Sequence, residues 1–275
     1  YRARVRARNH VAAFIKSFYR RSDMSMLELT PDFIKEFAAY LSTEAGLQNG
    51  SIWANCMWLK GVVMKAHYNG LIPRNPFIQF HISPNVKERE YLTEDELKAV
   101  MTHEFADSKL AYIRDIFIFA SFTALSFVDI QELTNDNIVE VNGEKWILSK
   151  RHKTKVAFQV KLLDIPLQIV ERYRPMQKDN RIFPGLNYWS ICKPLKRMIR
   201  ECGITKSISF HCSRHGFATL ALSKGMPIES VSRVLGHTNI VTTQLYAKIT
   251  TQKLDNDLTM FGDKLSKTFN GITMS

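Results

Sequence analysis

The sequence predicts a mainly α-helical protein with a small antiparallel β-sheet (α+β), in two domains over residues 1–85 and 86–275. Three observations predict it. Apolar residues recur at helical spacing through most of the chain. The period changes once, around Asn142-Gly143, where short apolar runs flank a tight-turn dipeptide. Gly70, Pro73, Pro76 and Pro84 punctuate one stretch, which places a linker near residues 73–90. A length of 275 residues also exceeds one small domain and suits two.

The elements follow in order. Val5 to Tyr19 carries apolar residues near helical spacing with arginines between them. Thr30-Pro31-Asp32 is a helix start, with Thr as N-cap, Pro at N1 and an acid in the first turn; that helix runs to about Ser42. Asn49-Gly50-Ser51 opens a third helix reaching about Tyr68. Thr93 and Glu96 form a capping box, and an apolar helix follows from about Lys109 to Leu125. Ile138 to Val141 and Lys145 to Leu148 make the hairpin, and Val156 to Leu162 a third strand. Helices are predicted near 166–177, 187–201, 212–224, 227–235, 239–247 and 252–261.

Composition narrows the function. The chain is 45% hydrophobic and 23% charged, which fits a globular protein and not a basic disordered tail. Twelve glycines and nine prolines exclude collagen-like and low-complexity chains. Apolar stretches such as Ile116 to Ala120 fall far short of the roughly 18 residues of a membrane span. The arginine-rich start is followed by no long apolar run, so no signal peptide is expected. Cys56, Cys192, Cys202 and Cys212 form no C-x-x-C pair, which suggests a reduced, intracellular protein without structural zinc. The chain begins at Tyr1, so a fragment or processed form is expected. The net charge is +12. Half of that excess falls within residues 1–85, giving them about twice the charge density of the remainder. Such an excess suits a polyanionic partner, nucleic acid above all, although solubility is the plain alternative.

The chemistry concentrates near the C-terminus. His211, Arg214 and His215 open one helix; Leu235-Gly236-His237 follows, then Thr242-Thr243-Gln244-Leu245-Tyr246. Singly, a helix-start histidine is a cap and a tyrosine near an amphipathic helix is packing. Together they place His211 and Arg214 on one helix face, His237 23 residues after Arg214, and Tyr246 nine after His237.

This pattern, H-x-x-R-H, then L-G-H, then tyrosine, resembles the tyrosine recombinases, the phage-integrase family of site-specific recombinases. The resemblance extends over most of the chain. It implies a helical core-binding domain followed by a catalytic domain. It implies a DNA recombinase or integrase that cleaves and rejoins strands through a 3′-phosphotyrosyl link on Tyr246, with no metal or organic cofactor. Arg214 would clamp the phosphate, His211 and His237 would donate to it or move protons, and Lys153 of Lys153-Thr154 would protonate the leaving oxygen. Lys150, Arg151 and Lys155 beside it would contact phosphates. Arg4 and Arg8, with Arg2 and Arg6, and the helical stripe Lys193, Lys196, Arg197 and Arg200 would bind DNA, a solvated face being the alternative for the stripe.

One position departs from the pattern. The family's turn T-G-L-R-x-x-E reads here Thr123-Ala124-Leu125-Ser126-Phe127-Val128-Asp129, so Ser126 stands at the arginine. Losing one preorganised donor costs roughly 3–4 kcal/mol of transition-state stabilisation. The segment is similar to that of mobile-element integrases of Bacteroides-type bacteria. Either the protein is a disabled DNA-binding scaffold, or another cation substitutes. Arg114 is the first candidate, although twelve residues, about 3.3 turns, would not stack it beside Ser126 on a straight helix; Arg151 is the second. The resemblance implies double-stranded DNA attachment sites as partners, a homotetramer on paired sites, and accessory directionality or DNA-bending proteins. It places the protein in the bacterial cytoplasm, at the nucleoid, and leaves room for an upstream arm-binding domain. Leu254, Leu258 and Phe261 form an apolar face that would dock on a neighbouring protomer or pack within the chain. A type IB topoisomerase-like relaxing activity is a third alternative.

Overall fold

The computed structural model describes residues 2–83, 90–152, 155–177, 179–247 and 251–268, with side chains omitted at 251–253 and 256. The chain forms two compact units, 1–88 and 89–275. No described helix is long and apolar enough to cross a membrane.

The first unit holds α1 (Arg2–Phe18), α2 (Pro31–Thr43) and α3 (Asn49–Tyr68). Thr30 caps α2 as predicted, its hydroxyl accepting the Phe33 amide at 3.2 Å. The core is aromatic: Phe14, Phe33 and Phe37 are buried, with Ile34, Leu41, Leu59 and Val63 around them. Each such side chain contributes about 1.5–3 kcal/mol on burial. This leaves the arginines of α1 outward, with Arg2, Arg4, Arg6 and Arg8 all exposed.

The second unit is built on α5 (Ser108–Thr123), preceded by α4 (Glu94–Thr102) with both halves of its capping box formed. Helix α5 is buried nearly all round, from Ile116 through Ala120, which is the burial expected of a helix without a polar face. It stops at Ala124, a buried non-glycine residue in the left-handed region at φ 56°. A short α6 (Phe127–Gln131) follows, capped by Ser126; the sequence reading had no element there. The sheet is β1 (Ile138–Val141), β2 (Glu144–Lys150) and β3 (Ala157–Lys161), antiparallel in the order β1-β2-β3. Asn142 and Gly143 both take positive φ, 53° and 77°, as a two-residue hairpin turn requires.

Helices α7 (Asp164–Tyr173), α8 (Tyr188–Glu201), α9 (Cys212–Ser223), α10 (Ile228–Leu235), α11 (Val241–Gln244) and α12 (Thr251–Thr268) complete the chain. Two ranges differ from expectation. The helix expected over 239–247 contracts to the four residues of α11, because Asn239 caps Val241 and the chain turns again before Tyr246. The terminal helix runs on to Thr268 rather than ending near 261.

Candidate active site

The turn after α10 organises the site. A helix leaves its last four carbonyls without helical partners, and here each can be traced. Gly236, left-handed at φ 62°, ends α10. The Gly236 amide donates to Arg233, and the His237 amide to Ser232 at 3.0 Å, which is the Schellman pattern. The next two carbonyls go to guanidinium groups. Arg151 Nη2 donates to Val234 at 2.5 Å, and Arg214 Nη2 to Leu235. The end of α10 thus seats two arginines on neighbouring carbonyls, where the helix dipole favours cations.

Arg214 lies on α9 and is 8% exposed. Its Nη1 donates to the carbonyl of Ala124 at 2.9 Å, so the C-terminal ends of α5 and α10 both hold it. Burial, then the nearby Arg151 charge, pushes its pKa down to about 10, while Tyr246 and Asp129 oppose the shift. It remains charged at neutral pH.

Arg151 is the first residue beyond β2 and is 5% exposed. Expected among the phosphate-contacting cations and as the second candidate for the missing arginine, it turns inward. Its Nη1 meets Asp129 at 2.8 Å and its guanidinium lies 4.0 Å over the Phe158 ring. Its Nε is a buried donor without a hydrogen-bond partner among the described residues. Gly236 is required beside it, since a Cβ there would stand 2.9 Å from Arg151 Nε and 3.0 Å from its Cγ. Lys150 and Lys155 flank it and are exposed. Lys153 and Thr154 lie outside the described residues.

Asp129 accepts from four groups: Arg151, the His152 amide at 3.0 Å, and the Ser126 hydroxyl at 2.7 Å and amide at 3.3 Å. Burial raises its pKa, but the His152 amide, Ser126 and Arg151 outweigh burial and hold it below the ordinary carboxylate value. Ser126 is therefore occupied as the cap of α6 and bonded to the carboxylate that anchors Arg151.

Arg114 is not brought to this cluster. Its Nε pairs with Asp115 at 2.9 Å and its Nη1 donates to the His103 carbonyl at 2.9 Å. It sits ten residues before Ala124, about 15 Å along α5. The Asp115 carboxylate and the His103 carbonyl thus engage the Arg114 guanidinium.

The remaining groups converge. His211 precedes α9 and is exposed; its ring lies 4.6 Å from that of His215, which lies 5.1 Å from the Tyr246 ring. Tyr246 is half-buried, its amide donating to the Thr243 carbonyl at 3.0 Å. His237 Nδ1 is hydrogen-bonded to the Thr243 hydroxyl at 2.8 Å. Burial, then the charges of Arg214, Arg151 and His211, pushes the His237 pKa down to about 4, so its ring is neutral at pH 7. Asp129, Gly236 and Thr243 carried no assignment from sequence. The signal for Asp129 was available in Ser126-x-x-Asp129, a capping pattern at the anomalous position.

Away from this cluster, Lys193, Lys196, Arg197 and Arg200 are exposed along α8 as predicted. Arg197 is partly neutralised by Glu201 at 2.7 Å and Asp107 at 3.4 Å.

Two buried arginines beside histidines and a tyrosine form a basic cluster that suits a single phosphate group. The profile of the phage integrase family matches residues 90–253, and that of the phage integrase SAM-like domain matches residues 1–82. The chain belongs to the phage integrase family, the tyrosine recombinases. It is 32% identical over 177 residues to tyrosine recombinase XerA of Pyrococcus horikoshii, a match spanning 59% of this chain and 58% of that protein. It is 25% identical over 229 residues to tyrosine recombinase XerC of Lactobacillus leichmannii, spanning 78% and 77%. Among solved structures it is similar to the Tn1549 transposon integrase in complex with a circular intermediate DNA. The TM-score is 0.78 at 17% identity, and the match covers 93% of each chain. A lambda integrase dimer bound to a core site matches with a TM-score of 0.66 at 18% identity over 86% of each chain. At these identities the structural likeness speaks for the fold.

Proposed function

We propose that the protein is a site-specific DNA recombinase of a mobile element, cleaving and rejoining strands through Tyr246, with Arg151 in place of the family's first arginine. The observation that carries this is the pair of arginines on adjacent carbonyls of α10, with His237 and Tyr246 on the segment that continues from it. The Tyr246 oxygen attacks phosphorus, the bond to the 5′ oxygen breaks, and a 3′-phosphotyrosyl link forms while the phenol proton departs. Arg214 and Arg151 stabilise the negative charge gathered on the non-bridging oxygens. His211 and His237 add hydrogen bonds to the same phosphate. By family resemblance Lys153 protonates the leaving 5′ oxygen. A 5′-hydroxyl from the second strand then attacks the phosphotyrosyl link, so bond energy is conserved and no cofactor is consumed.

Residues 1–85 act as the core-binding domain and 86–275 as the catalytic domain. The arginines of α1 and the cations of α8 contact phosphates of a double-stranded attachment site, which positions the enzyme without specifying sequence. Helix α12 leaves Leu254, Leu258 and Phe261 between 49% and 58% exposed, an apolar face suited to a neighbouring protomer in a tetramer. The protein acts in the bacterial cytoplasm, where such DNA resides. What weighs against a disabled DNA-binding scaffold is that a buried guanidinium with a spare donor stands beside Arg214. The test is incubation with a nicked suicide version of the attachment site. A covalent protein–DNA adduct is expected, absent in Tyr246→Phe. A correct site that yields no adduct with the parent protein refutes the enzymatic role.

A further inference from the structure

Thr243 is fully buried between the histidine and the tyrosine. Its hydroxyl lies 2.8 Å from His237 Nδ1, while its carbonyl receives the Tyr246 amide. Among the described residues its hydroxyl has no other hydrogen-bond partner. A hydroxyl can give one proton and accept others, whereas a neutral imidazole has one N–H and one bare nitrogen. If Nδ1 carried the proton, Thr243 would only accept, and its own O–H would be buried and unused, a costly arrangement. If Nδ1 is bare, the Thr243 hydroxyl donates to it and both groups are satisfied.

We propose that Thr243 is a positioning residue that sets the tautomer of His237, donating its hydroxyl to Nδ1 so that the ring's single proton sits on Nε2. The ring then offers an N–H donor to a phosphate oxygen held by Arg214. The opposite tautomer would present a lone pair to an anion and repel it. Arg214, Arg151 and His211 surround the ring with positive charge, so it cannot obtain a donor at Nε2 by taking a second proton near neutral pH. The hydroxyl supplies that donor without adding charge. The same residue holds the Tyr246 backbone, so the donor and the nucleophile share one support. The functional consequence rests on the strand-cleavage role of His237 and Tyr246 proposed above; the tautomer itself can be measured without DNA.

The experiment is ¹⁵N spectroscopy of histidine-labelled full chain at pH 7, with the His237 signals identified by their loss in His237→Asn. The parent is expected to show the Nε2–H signature. Thr243→Val removes that bias, so it is expected to give a mixture of the two tautomers and to slow adduct formation on the suicide site about 10- to 100-fold, as loss of an orienting partner does. Thr243→Ser, which keeps the hydroxyl, should retain the parental signature and cleave within a few-fold of the parental rate. An Nδ1–H parent overturns the proposal, as does a Thr243→Val protein that cleaves like the parent. If Thr243→Val fails to fold, the parent spectrum and the Thr243→Ser rate decide. A parent with the Nε2–H signature that forms no adduct refutes the enzymatic role and leaves the tautomer assignment standing.

Discussion

Arg151→Ala removes a side chain with two separable duties. The first is structural. The guanidinium pairs with Asp129 at 2.8 Å, donates to Val234 and lies over Phe158, with both partners of the ion pair under 10% exposed. Removing one partner of a buried pair costs about 3–5 kcal/mol, because the other charge is stranded. At about 2–4 °C per kcal/mol for a unit of this size, the melting temperature should fall by roughly 6–20 °C. The second is the catalytic duty proposed above. A lost phosphate donor slows the chemical step by about 10²–10³-fold. The two are separated by a double variant, Asp129→Asn with Arg151→Met, which removes both charges and should recover much of the lost stability. Cleavage is read as single-turnover adduct formation at 25 °C on the suicide site, with each protein's melt recorded alongside. The double variant should melt close to the parent and still cleave about 10²–10³-fold more slowly. A double variant that cleaves at the parental rate refutes the substitution of Arg151 for the family's arginine.

Four further outcomes are expected. Arg114→Ala should lower the melting temperature yet leave adduct formation within a few-fold of the parent; loss of cleavage in a folded protein would restore Arg114 as the substitute. Gly236→Ala forces a side chain into left-handed backbone and against Arg151, so it should destabilise by about 1–2 kcal/mol and slow cleavage, as melting and single-turnover assays would show. The His237 pKa is depressed to about 4, so the unfolded chain binds protons first as pH falls. The contribution of His237 is therefore complete above about pH 6.5 and fades between 6.5 and 4; His237→Asn should flatten part of the melting-temperature decline across that window. Leu258→Asp should leave the monomer's melt unchanged and abolish tetramers on paired sites, measured by sedimentation with DNA.

Local chemistry was legible in the sequence. Thr30, the Thr93–Glu96 box and Asn142-Gly143 each fix a boundary through bonds to residues within three positions, and all formed as predicted. Tyr246, Arg214 and the histidines were legible as residue types at spacing, and the fold brings Arg214 into electrostatic reach of both Tyr246 and His237. The inward turn of Arg151 was not legible. Its anchor, Asp129, is 22 residues away, and its second support, Val234, is 83 away. In sequence it is one of four cations within six residues, and three of those carry no mark to tell them apart from it. The position of Arg114 was not legible for a related reason: its neighbour Asp115 and the His103 carbonyl engage it before α5 reaches the cluster. The shortness of α11 lies in the turns on either side of it, at Asn239 and at Tyr246, which a periodicity count overlooks.

The terminal turn of α10 also determines the electrostatic balance of the site. Arg214 donates to two carbonyl oxygens, which leave its unit charge intact, while Arg151 is ion-paired with Asp129. These three ionised groups sum to one positive charge, matching the one negative charge of a phosphodiester. A bound, unreacted strand would therefore leave the pocket electroneutral. In the proposed reaction the further negative charge that builds as Tyr246 attacks exceeds that balance, so it rests on the directed hydrogen bonds of Arg214, Arg151 and the imidazoles rather than on net charge.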